Sequence, residues 1–212
     1  MGYIADLMEL ELDGAVAAMA LDSTVDSKYK TKIGLEATDP YFNSGVMLID
    51  VEKWQHQNIL DKIQNLANSG RRFNTVDQDY VNIALLGKCK TISNKFNFQP
   101  FHKRYTPKQY LSVYQKKSLY YDMQELIDAE DDIRIIHFFR YLGMHPWDMK
   151  SMHPFEKEFI YYRDKVPKAS FQMMTPNNLT LTIRIERGLY KILPKVSFLR
   201  AFRMAHNRML EK

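Results

Sequence analysis

Apolar and polar positions alternate along this chain in blocks that predict strands followed by helices. Residues 41–51 read YFNSGVMLIDV: two aromatics, the polar step Asn43-Ser44-Gly45, then the apolar run Val46, Met47, Leu48, Ile49 and Val51. A run apolar on both faces is the pattern of a strand covered by helices, as in a parallel sheet. Upstream, an acidic helical turn and the Gly14 turn precede a small apolar strand at residues 15–20, and a polar, loop-like stretch runs to Pro40. Downstream, Trp54, Ile59, Leu60, Ile63 and Leu66 recur at helical spacing over residues 52–69 and stop at Gly70. A second helix carries Tyr80, Ile83, Ala84 and Leu86, with Thr75 or Asp77 as its cap and Gly87 at its end. Residues 133–138 predict a further strand. In the C-terminal stretch Leu189, Ile192, Leu193, Val196, Leu199 and Phe202 predict a helix kinked or split at Pro194. The class implied is α/β, a sheet with flanking helices.

Composition narrows the setting. Of 212 residues 45% are hydrophobic and 26% charged, enough for one domain with a sizeable core. Cys89 is the sole cysteine, which excludes an internal disulfide and a cysteine-based zinc site and suits a reducing cytoplasm, with the thiol as a small hydrophobe. No apolar run reaches membrane-spanning length, and no signal-peptide pattern opens the chain; Asn178-Leu179-Thr180 fits a glycosylation acceptor that is idle without secretion.

The charge of +5 is uneven. From Ile183 to Lys212 eight basic residues face Glu186 and Glu211, a net +6, so the remainder sums to about −1. A basic amphipathic segment of this kind fits an anionic membrane surface, or a helix packed on the domain with a solvated basic face. The basic residues share a helix with a greasy face, and no helix-turn-helix, zinc-finger or RNA-binding signature accompanies them, which argues against nucleic acid as the partner.

Three polar points interrupt the apolar blocks. Asn43, with Ser44, offers groups that both donate and accept, suited to sugar hydroxyls, and Gly45 allows close backbone approach. Asp77, Gln78 and Asp79 open a helix, where the dipole keeps carboxylates ionised; they serve as capping, or as a fixed anion and amide facing a sugar whose anomeric carbon becomes positive. His137 stands at the end of the strand predicted at 133–138, where open α/β sheets place ligands, as a satisfied structural histidine or a metal ligand.

Taken together, YFNSGVMLIDVEKW, then DQDYVN, then IIHF followed by Pro146-Trp147, resemble the later half of glycosyltransferase family eight over residues 3–148. The resemblance implies a retaining, metal-dependent hexosyltransferase of GT-A type, moving a hexose from a nucleotide (UDP) sugar to a saccharide or glycolipid acceptor, as in lipopolysaccharide synthesis. It implies that Asn43 contacts donor or acceptor, that Asp77 and Gln78 flank the anomeric carbon as the candidate catalytic pair, and that His137 binds the cation, usually Mn2+. Ser44 and Asp79 join Asn43 as candidate substrate-binding groups.

The chain departs from the family pattern after His137. Position 140 is arginine, Gly143 comes later than the family glycine, and His145 stands where a lysine precedes the Pro-Trp pair. Arg140, Gly143 and His145 are therefore the substrate-binding candidates there, Arg140 replacing the lysine's charge. In the family an Asp-x-Asp metal motif lies just before a segment like GYIADLMEL, so the resemblance implies an incomplete GT-A domain at 1–176, a Rossmann-like mixed sheet with flanking helices lacking the nucleotide-binding strands, with a basic amphipathic helical tail at 177–212. Such a truncated chain has two readings: a form of a transferase, cytoplasmic or peripheral on the inner face of the plasma membrane, that is inactive alone for want of those strands, or a non-catalytic peripheral membrane or scaffold protein derived from one.

Overall fold

The computed structural model describes residues 4–114, 120–149, 151–166 and 180–211. The boundary expected at 176/177 and the pattern at Asn178 fall outside them. After a short helix α1 (Ala5–Met8), three strands β1 (Ala17–Leu21), β2 (Phe42–Ile49) and β3 (Cys89–Thr91) pair in the order β2-β1-β3. β3 runs parallel to β1, and β2 antiparallel to it. The parallel pairing suggested by β2's two apolar faces is corrected by its connection. Residues 22–41, which carry α2 (Ser27–Ile33), leave and return at the same end of the sheet, so that Leu21 pairs with Phe42 and Asp22 N donates to Tyr41 O.

β1 is buried throughout, and its side chains alternate between two cores. Ala17, Met19 and Leu21 face a cluster with Phe42, Ile59, Leu85 and Leu126; Ala18 and Ala20 face Leu7, Ile92 and Phe96. The register slips between Met19 and Ala20, which pair with Met47 and Asn43. Ser44, Gly45 and Val46 have no register partner, a bulge that turns the polar step away from the ladder.

The helix expected over 52–69 is two, α3 (Val51–His56) and α4 (Ile59–Asn68), because Asn58 adopts φ 51, the left-handed region that asparagine tolerates. α5 (Val76–Ala84) follows, and Gly87 turns the chain at φ 71. Cys89 packs beside the first core, and burial pushes its thiol up to about 12. A turn of 3-10 helix at Asn94–Phe96 leads to α6 (Pro100–Arg104), α7 (Pro107–Tyr114), α8 (Met123–Asp131) and α9 (Glu156–Arg163).

The strand expected at 133–138 does not form a ladder. Ile136 makes one parallel bridge to Phe98, Phe98 N donates to Ile135 O, and His137 N donates to Phe98 O. Phe98 lies between the 3-10 turn and Pro100, so there is too little extended backbone to pair with more. Even so, the bridge fixes where His137 points.

α10 (Leu181–Ile192) and α11 (Lys195–Glu211) divide at Pro194 as expected; Leu193 before it takes ψ 146. α11 is anchored at both ends. Phe198 and Leu199 enter a cluster with Phe101, Tyr105, Tyr110 and Tyr141, while Leu210 joins Tyr29, Ile33, Tyr41 and Phe73. Asn207 Nδ2 donates to Asp26 Oδ2 (2.9 Å), and Asn74 Nδ2 to Leu210 O (2.7 Å).

On α6, His102 is buried, with its ring against Tyr110 at 4.5 Å and its Nε2 paired with the Tyr120 hydroxyl at 2.8 Å. Burial holds it neutral, with a pKa of about 3. A base depressed in the folded state favours unfolding once the unfolded chain can take the proton, so this stability is complete above about pH 6.5 and is lost as pH falls toward 3. We expect a loss on the order of 2–3 kcal/mol from His102 between pH 6.5 and 4.5. Denaturant unfolding across that range should show a slope that His102→Gln flattens by about one proton; an unchanged slope would exclude His102 as its source.

Candidate functional site

The site begins with the docking of α5 onto β2. Asn82, 4% exposed, accepts from Phe42 N (2.7 Å) and donates to Phe42 O (2.8 Å), which fixes helix to strand. One turn earlier, Asp79 is fully buried. Its carboxylate accepts from the Tyr29 and Tyr41 hydroxyls, both at 2.5 Å, and from Thr75 N at 3.0 Å. Burial and this carboxylate push the Tyr29 hydroxyl up to about 12 and Tyr41 higher still. Asp79, expected at the substrate, thus lies behind the site as the anchor of the helix N-terminus.

With α5 fixed, Gln78 faces forward. Its Oε1 accepts from Ser44 N (3.4 Å), and its Nε2 donates to Asp22 Oδ2 (3.2 Å). Asn43 Nδ2 donates to the same oxygen (3.3 Å), while Asn43 Oδ1 accepts from Asn97 Nδ2 (2.9 Å) and Gly45 N (3.0 Å). The other oxygen, Asp22 Oδ1, accepts from Thr24 N (2.8 Å) and Thr24 Oγ1 (2.6 Å). Asp22 is therefore the hub, and sequence reasoning missed it. The available signal was its position as the first polar residue after the apolar run of β1, at the strand end where α/β sheets place ligands.

His137 completes the arrangement. A Cβ on Gly45 would fall under 3.0 Å from three atoms of its imidazole, so only glycine lets the ring lie on the strand. Burial lowers its pKa, and the Asp22 carboxylate opposes that shift. Gly45→Ala should therefore displace the ring and cost about 1–3 kcal/mol of stability. Thermal unfolding and the histidine ring resonances would report it; an unshifted His137 signal would contradict the packing.

Asp22, Asn43, Gln78, His137, Arg140 and Gly143 line one cleft of about 450 Å³, together with Gln99 and Phe101. Ser44 and Asp77 are outside its lining, joined to each other by a bond from Ser44 Oγ to Asp77 Oδ2 (3.2 Å) and to the lining through Ser44 N and Gln78. His145 stands aside, stacked on Trp147 at 4.3 Å and accepting from Arg140 Nε at 3.2 Å. Burial, then the Arg140 cation, lower its pKa.

The cleft is lined by two imidazoles and two carboxylates, those of His137 and His206 and of Asp22 and Glu186, and Nδ1 of His137 is buried without a hydrogen-bond partner. Among the described residues no three His, Cys, Asp or Glu side chains converge to hold a metal ion. These residues alone do not fit the ligand set that a divalent cation requires.

The model of Glycosyl transferase family 8 matches residues 1–151. Relatives include a "Putative glycosyltransferase" of Haemophilus influenzae, 38% identical over 104 residues (46% of this chain, 30% of that protein). "General stress protein A" of Bacillus subtilis is 27% identical over 75% of this chain and 53% of its own length. The "Lipopolysaccharide 1,3-galactosyltransferase" of Salmonella typhimurium is 24% identical over 82% and 49%. The chain thus spans about half or less of the length of the curated relatives it matches. Among solved structures, galactosyltransferase LgtC, in complex with donor and acceptor sugar analogs, superposes with a TM-score of 0.60 at 18% identity, covering 80% of this chain and 58% of LgtC. WbbM, a bifunctional glycosyltransferase, gives 0.54 at 15% identity over 76% and 32%. The α/β architecture of GT-A type read from the sequence is the fold found, and the chain belongs to glycosyltransferase family 8.

Proposed function

We propose that this chain carries the sugar-side half of a hexosyl-transfer site, which takes a hexose from a UDP-sugar and passes it with retention to a saccharide or glycolipid acceptor. The observation that carries this reading is the Asp22 carboxylate held by Asn43 and Gln78 in an open cleft. Loss of the nucleotide leaves positive charge at the anomeric carbon, and a fixed carboxylate with oriented amides stabilises it. Gln78 and Asn43 position the hexose through its hydroxyls, Asp77 adds a second anion beside Ser44, and Arg140 is placed to meet the diphosphate. A Mn2+ ion would neutralise the leaving group; His137 and Asp22 fall short of its coordination, and none of these roles depends on it. Release of UDP from UDP-galactose or UDP-glucose tests the reading. Release that requires the sugar and the intact cleft supports it, and none with either donor overturns it.

The acceptor's location bears on α10. No described helix is long and apolar enough to cross a membrane. α10, however, exposes Leu181 (73%) and Ile192 (80%) together with Arg184 and Lys191, with Arg187 half-buried between them in sequence, so we propose peripheral attachment to anionic lipid. Each basic residue contributes on the order of 1 kcal/mol at such a surface. Exchanging these three for glutamine should abolish salt-sensitive sedimentation with phosphatidylserine vesicles; equal sedimentation would sink the idea.

A further inference from the structure

The family match ends at residue 151, yet three side chains beyond it line the cleft with Asp22, Gln78 and His137: Glu186 of α10, and Phe202 and His206 of α11. Their placement is built in. A Cβ on Gly143 would collide with Ile183, one turn before Glu186, so glycine there seats α10 against the 141–144 turn. Tyr190 packs edge-on against Tyr141 (6.1 Å) and Phe198 (5.1 Å) and beneath the Arg104 guanidinium (5.1 Å). On α11, Phe202 meets Phe101 at 5.3 Å, and His206 lines the cleft together with Thr24, the residue that also holds Asp22.

Glu186 is the unexplained member. It is half-buried, and burial raises its pKa. Although Arg184 and Arg187 are its near neighbours on α10, no hydrogen bond or ion pair satisfies it among the described residues. A carboxyl taken part-way out of water without a partner costs stability, and at a cleft wall such a group is a candidate for ligand contact. A nucleotide sugar's diphosphate is anionic and repels it, whereas a neutral sugar ring offers hydroxyl donors. If the cleft transfers a hexose as proposed above, on which this inference rests, the neutral ring that remains is the acceptor's.

We propose that Glu186 is an acceptor-binding residue, its carboxylate taking hydrogen bonds from ring hydroxyls of the receiving saccharide, with Phe202 as the apolar surface beside them. The test uses the full chain and two probes, UDP-galactose by titration and methyl β-D-galactopyranoside by saturation-transfer NMR. Glu186→Gln, which keeps the volume, should weaken the glycoside about tenfold, as for loss of a charge-assisted hydrogen bond, while UDP-galactose affinity stays within about twofold. Glu186→Asp should recover part of the loss, which a purely structural role would not allow. Unchanged glycoside binding in Glu186→Gln, equal loss of both probes, or a wild-type chain that does not bind the glycoside would each overturn the proposal. If the glycoside binds through Glu186 but UDP-galactose does not bind at all, the saccharide site stands and the hexosyl-transfer reading fails.

Discussion

Replacing Asp22 with asparagine is expected to cut turnover by about 10²–10³-fold, the cost of removing one preorganised electrostatic group, while the fold survives. Asparagine can keep one oxygen on Thr24 N and Oγ1, but it then turns an NH2 toward Asn43 Nδ2 and Gln78 Nε2, both of which donate to Asp22 Oδ2 in the native chain. Donor would face donor, so the two amides proposed to position the hexose would swing away as the charge proposed to face the anomeric carbon is lost. Initial rates of UDP release, with circular dichroism as a check on folding, measure both parts. A folded Asp22→Asn protein with native turnover would remove Asp22 from the chemistry.

The second large effect concerns the C-terminal helix. Deleting residues 195–211 is expected to unfold the protein. Leu199 and Leu210 are fully buried and Phe198 is 2% exposed, and they fill two separate clusters. Truncating one buried leucine to alanine typically costs about 2–5 kcal/mol, against a total stability of about 5–15 kcal/mol for a domain. Loss of all three, with the hydrogen bonds of Asn207 and Asn74, exceeds what such a domain can lose. A shortened chain that stayed soluble and melted cooperatively would show α11 to be dispensable.

Much of this was legible in the sequence because polar residues interrupt apolar runs at few places. Asn43, Gln78 and His137 stood out as such breaks, and the structure brings them to one cleft. The demand on Gly45 was readable as close approach, though not that the approaching group would be His137. What stayed hidden depends on partners distant in sequence. Asp79 resembles any acid at a helix start until Tyr29 and Tyr41 close over it. Asp22 opens a polar stretch that reads as loop, and its importance lies in amides 21 and 56 residues away. The missing ladder at 133–138 follows from its partner, since Phe98 supplies only one bridging residue. Charge patterning marked the C-terminal helices as basic and amphipathic but did not register that α11 is threaded into two clusters or that Glu186 reaches the cleft.

We propose that the cleft around Asp22 takes the hexose of a nucleotide sugar. Saturation-transfer NMR of UDP-galactose on the 212-residue chain tests it most directly, because it reports separately on each part of the ligand. The hexose protons should receive saturation, and that signal should be lost in Asp22→Asn and Gln78→Ala. Saturation confined to the uridine protons, or a hexose signal indifferent to both substitutions, would contradict the account.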